Sequence, residues 1–91
     1  MGKLFIVKFL FCNKKMKTKI EQYVIDQVKK RRMEQKISQV ALADYINVSK
    51  GFIGNVEVPT NDYKYNINHL NEIAKVLHCS IRDFFPEKPL D

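Results

Sequence analysis

The chain has 91 residues, room for one small domain and too little for a two-domain enzyme, since independent cores usually need about 50 to 200 residues. Hydrophobic residues make up 45% of it, enough for a core and against wholesale disorder. Formal net charge is +6, from 16 basic and 10 acidic side chains, a balance that favours polyanions. The excess is uneven. Residues 1–37 carry eleven basic and three acidic side chains, whereas residues 38–91 carry five and seven, so bulk charge does not single out the C-terminal part as the polyanion-facing one.

The composition divides the chain into an apolar and basic segment, 1–17, a domain, 18–86, and a short tail, 87–91. Residues 4–12, LFIVKFLFC, are too few to cross a bilayer, which takes about 20 apolar residues. Lys8 interrupts the run, no small-residue cleavage site follows, and Leu10 and Phe11 before Cys12 are too bulky for a lipoprotein signal. Three readings fit it: an edge strand that pairs with a partner chain, a poorly ordered tail, or a stretch upstream of a true start at Met16. Cys12 and Cys79 lie far apart and suit reduced thiols in a cytoplasmic protein. With His69 and His78 they lack the spacing of a zinc site, so neither metal nor cofactor is expected.

From Thr18 to Glu34 apolar residues recur every four positions at Ile20, Val24 and Val28, with Tyr23 and Ile25 widening the stripe. This predicts a first helix, with Lys29, Lys30 and Arg31 facing solvent or a polyanion. Ser38 to Glu57, SQVALADYINVSKGFIGNVE, reads as two short helices joined by a tight turn. Ser38 caps the first, which buries Val40, Ala41, Ala43 and Ile46 beside Leu42; Asn47 and Val48 interrupt it. Ser49 caps the second, over 49–57, with Ile53 and Val56 inward. A turn-rich connection, VPTNDYKYN, leads to a fourth helix capped by Asn66 with Ile67, Leu70, Ile73, Ala74 and Leu77. Ser80 caps a short fifth with Ile81, Phe84 and Phe85, ended by Pro86. The expected fold is all-α, a compact five-helix domain holding a helix-turn-helix.

Arg32, Ser38-Gln39, Leu42-Ala43, Ile46, Val48-Ser49, Ile53, Val56-Glu57, the helix from Ile67 to Leu77 and the ending CSIRDFF together resemble the lambda-repressor and Cro-like helix-turn-helix domains, also called the XRE type. The resemblance covers about Ile20 to Phe85. It implies a double-stranded DNA-binding transcriptional regulator, a repressor acting as a homodimer, with no catalysis and no membrane partner. It also implies an ion pair between Arg32 and Glu57. Its DNA-facing positions fall on Gln39 and Ser49 for phosphate, and on Lys50, Gly51, Phe52 and Asn55 for base edges. Lys50 suits guanine or phosphate, Asn55 adenine and Phe52 thymine methyl groups. Lys64, in the following loop, is a candidate phosphate contact. Two other readings share the fold: an antitoxin that also binds a toxin protein, and a protein-interaction module without DNA binding.

The chain departs from the family pattern in two places. Gly51 and Gly54 fall in the expected recognition helix, each costing about 1 kcal/mol relative to alanine. Close approach of backbone to DNA is one reason for them, and a shallow helix that firms on binding is another. Val58 and Pro59 follow Glu57 where a glycine is common in the family, so the helix must end differently.

Overall fold

A computed structural model describes residues 17–91, and the N-terminal run 4–12, with its strand, tail and late-start readings, lies outside the described residues. The elements are α1 (Lys19–Glu34), α2 (Gln39–Tyr45), α3 (Phe52–Glu57), α4 (Ile67–Val76) and a 3-10 turn (Ile81–Phe84). No strand occurs among the described residues.

Side chains with a short polar reach start most of these helices. Thr18 caps α1: its hydroxyl accepts from the Glu21 N–H at 3.3 Å, and the Glu21 carboxylate accepts from the Thr18 N–H at 2.8 Å. That reciprocal box satisfies two donors that the helix itself leaves unpaired. Ser38 accepts from the Ala41 N–H at 3.0 Å to start α2. Asn66 opens α4 with a box whose third-position residue is His69, and Ser80 does the same for the 3-10 turn with Asp83.

Three helices stop in one way. Lys36, Asn47 and His78 take left-handed backbone (φ 59°, 62° and 55°) just past the caps of α1, α2 and α4. The next residue then sends its N–H five positions back: Ile37 to Arg32, Val48 to Ala43 and Cys79 to Ala74, at 3.0 to 3.1 Å. This is the Schellman arrangement, which also turns an apolar residue back onto the helix. Ile37, Val48 and Cys79 accordingly pack against the core. No glycine holds these turns, so Lys36 and His78 adopt a conformation that costs most side chains about 1–2 kcal/mol.

The core is one cluster. Val24 and Val28 of α1, Leu42, Ala43 and Ile46 on and just past α2, Ile53 of α3, and Leu70, Ile73, Ala74 and Leu77 on and just past α4 meet there, with Phe84 closing it. Phe84 is fully buried because the 3-10 turn packs against both α1 and α4. Gln35 adds a tie between helix ends, donating from Nε2 to the Leu77 carbonyl at 2.8 Å.

Some expected features differ. Val40 is 48% exposed, because the seven-residue α2 buries Leu42, Ala43 and Ile46 and its 100° step leaves Val40 on the flank. Ile20 and Ile67, in the opening turns of α1 and α4, lie beyond the packed length and are also exposed. The fifth element is a single 3-10 turn that buries Phe84 and leaves Phe85 outside. α3 begins at Phe52, three residues later than the expected 49–57 helix, and Ser49 does not cap it. The Phe52 N–H that a serine hydroxyl would have accepted goes instead to the Ser49 carbonyl at 3.0 Å, closing a tight turn over Ser49 to Phe52. Gly51 therefore stands at the cap of α3 and only Gly54 lies within it.

Candidate nucleic-acid interface

A six-residue helix is too short to be stable alone, so α3 is held by what surrounds it. Ile53 and Val56 are fully buried and seat its inner side, with α2 and α1 both packed against it. Its last residue, Glu57, is gripped by Arg32 of α1. The Arg32 Nε donates to Glu57 Oε2 at 3.0 Å and an Arg32 terminal nitrogen donates to Glu57 Oε1 at 2.9 Å, while the other terminal nitrogen donates to the Ile37 carbonyl at 2.8 Å. The two side chains are only 9% and 3% exposed, so this is a buried, two-pronged ion pair. It fixes the direction of α3; its net stabilisation is small because both charges lose water.

Gln39, at the start of α2, joins the pair from the outside. Its Nε2 donates to Glu57 Oε1 at 2.8 Å, which lays the side chain across α3 above Gly54. Asn55 is exposed on the next position, and its Nδ2 lies 3.8 Å from the place where a Cβ on Gly51 would sit. Gly51, Asn55 and the Gln39 carboxamide thus share the outward side of α3. Ser49 and Lys50 are exposed in the turn that precedes it. Lys50 borders a shallow open groove of about 480 Å³ with Ser38, Val40, Ala41, Asp44 and Val48.

Two expected contacts sit differently. Phe52 is half-buried, its ring centroid 4.7 Å from the His69 ring and 6.2 Å from those of Tyr63 and Tyr65. Its ring thus supports the start of α3 from beneath. Lys64 pairs with Glu21 at 3.2 Å, which draws it to the start of α1. Burial pushes the Glu21 carboxyl up, but the Thr18 N–H and Lys64 outweigh it and hold the pKa below its ordinary value. Lys17 completes this seam by donating to the Val58 carbonyl, at the C-cap of α3, and to Asn61 Oδ1 at 3.2 Å.

The aromatic group beneath Phe52 was not foreseen from the sequence. Its members come from the turn-rich loop and α4, and nothing in their spacing links them to Phe52. Asn66-x-x-His69 was the available signal, since His69 Nδ1 accepts from the Asn66 N–H at 3.0 Å as a capping-box residue does. Burial lowers the His69 pKa, which favours that neutral acceptor. Tyr65 lies deeper; its hydroxyl is buried without a hydrogen-bond partner among the described residues. Burial, and then the nearby Glu57 carboxylate against the opposing pull of Arg32, push its pKa far above the ordinary phenol value.

Among the described residues no group of three or more His, Cys, Asp or Glu is placed to hold a metal, and no helix is long and apolar enough to cross a membrane. Comparison with curated proteins and with solved structures finds no match. A helix-turn-helix family model matches residues 28–84, which takes in everything from the middle of α1 to Phe84. With α2 and α3 packed across a tight turn, the chain belongs to the helix-turn-helix family of DNA-binding regulators, of the XRE or lambda-repressor-like type.

Proposed function

We propose that the protein is a sequence-specific double-stranded DNA-binding transcriptional regulator, acting as a repressor, that places α3 in the major groove. The observation that carries this reading is the division of α3 into two sides. Ile53, Val56 and Glu57 are locked into the domain, whereas Gly51 and Asn55 leave the opposite side open. A major groove about 12 Å wide admits such a helix. Asn55 is suited to pair two-pronged with adenine, and Lys50 reaches guanine or a phosphate from the turn. Gln39 and Ser49 serve phosphate, contacts that set position without reading sequence. Phe52 acts mainly through its packing, and Lys64 reaches phosphate by leaving Glu21. The protein acts as a homodimer on half-sites about 34 Å apart.

A second reading is a protein-interaction module of the same fold, or an antitoxin that uses this surface on a toxin protein as well as on DNA. The slight acid excess of residues 38–91 favours it. Titrating duplex binding against salt separates them. A DNA regulator loses affinity steeply as salt rises, with a slope of about −0.9 per neutralised phosphate. A pure interaction module shows no duplex affinity even at low salt, and that result would reject the proposal.

A further inference from the structure

Gly54 lies within α3, where a glycine weakens the helix relative to alanine. A Cβ built on it would lie 3.2 Å from Gln39 Oε1 and 3.8 Å from Gln39 Cδ, the first inside ordinary contact distance. At Gly51, the other glycine of this region, the same construction meets nothing nearer than 3.8 Å. Of the two, only Gly54 has a neighbour that a side chain would crowd, and the Gln39 amide would have to give by a few tenths of an ångström. Because the Glu57 carboxylate can only accept, the Gln39 amide must turn Nε2 towards it, and Oε1 then falls over Gly54. The second N–H of that amide has no hydrogen-bond partner among the described residues.

We propose that Gly54 is a positioning residue for DNA binding: by lacking a side chain it seats the Gln39 carboxamide across α3 against Glu57, presenting the remaining Gln39 N–H to a DNA phosphate in one orientation. The proposal rests on the DNA-binding reading above. Seating the amide in the free protein removes rotamer freedom before DNA arrives, so association does not have to supply that ordering. The network then runs from Arg32 on α1 through Glu57 on α3 to Gln39 on α2, and ties the phosphate-contacting residue to the helix that enters the groove. Alanine at 54 would suit a helix better, so the glycine trades local helix stability for this seat.

The test uses the full chain as wild type, Gly54→Ala, Gln39→Ala and the double variant. Side-chain amide NMR and thermal melting are recorded on the free proteins, and affinity is measured for a duplex recovered by the wild type from a random pool. Gly54→Ala should move the Gln39 amide resonances towards those of a free glutamine, leave the melting temperature unchanged or higher, and weaken duplex binding about fivefold. In the Gln39→Ala background the same change should cost no further affinity. Unmoved Gln39 resonances, or an equal affinity loss with and without Gln39, would overturn the proposal. If the wild type recovers no duplex at all, the DNA reading fails on its own. The resonances still decide the seating: a shift in Gly54→Ala upholds it, and no shift rejects it.

Discussion

The two ends of α3 are held by opposite means. At its C-terminal end directional polar bonds converge: Arg32 and Gln39 on Glu57, and Lys17 on the Val58 carbonyl. At its N-terminal end no side chain caps the helix, and Phe52 rests instead on the rings of Tyr63, Tyr65 and His69. Directional bonds fix an angle, whereas ring packing supplies buried area with little directional demand. A short helix containing a glycine needs both, because its own hydrogen bonds do not hold it.

Breaking the polar end should have the larger effect. Arg32→Ala leaves the Glu57 carboxylate buried with only Gln39 beside it, and denaturant unfolding should show a loss of about 3–5 kcal/mol. A loss under about 1 kcal/mol would mean that Glu57 simply swings into water. Phe52→Ala removes a half-buried ring and should cost less, about 2 kcal/mol. If it cost more than Arg32→Ala, the ranking of the two ends would be reversed.

Tyr65 touches both ends: its ring belongs to the aromatic group, while its hydroxyl lies near the Arg32 and Glu57 charges. Tyr65→Phe deletes a buried hydroxyl that has no partner among the described residues and should stabilise the domain by about 1 kcal/mol. Destabilisation of that size would show that the hydroxyl is hydrogen-bonded.

Acid should act on the aromatic end first. Burial holds the His69 pKa below its ordinary value of 6.5, so the unfolded chain binds that proton more readily than the folded one. Its contribution is complete above about pH 6.5 and is lost as pH falls through the lower, folded value. The corresponding loss at Glu21, whose pKa is also lowered, comes only below its ordinary 4.5. A modest fall in melting temperature between pH 7 and 5 is expected, and His69→Gln, which keeps an acceptor at that capping position, should remove it. An unchanged fall in the variant would place the titrating group elsewhere.

The starts of helices were legible in the sequence, because Ser38, Asn66 and Ser80 each place a side-chain acceptor two or three residues before a donor that needs one. Their ends were less so. Lys36, Asn47 and His78 hold left-handed turns without glycine, and lysine or histidine gives little sign of that conformation. Apolar spacing marked the buried faces but not their limits, which is why Val40, Ile20 and Ile67 are exposed. Arg32 and Glu57 came from the family resemblance, and the structure pairs them. Ser49 failed as a cap because its own carbonyl took the donor first. In the sequence Gly54 shows as a helix cost, for which DNA approach or a shallow helix are the reasons on offer. The neighbour that a side chain there would crowd, Gln39, is fifteen positions away on another helix, which no local pattern carries.

The most direct test of the account is site selection from random duplex DNA with the wild type and with Asn55→Ala. We predict that the wild type enriches a defined site and that Asn55→Ala relaxes preference at one or two base pairs, with a loss of about 1–3 kcal/mol on the wild-type site. Enrichment of the same site, with the same affinity, by both proteins would contradict the claim that the outward side of α3 reads DNA.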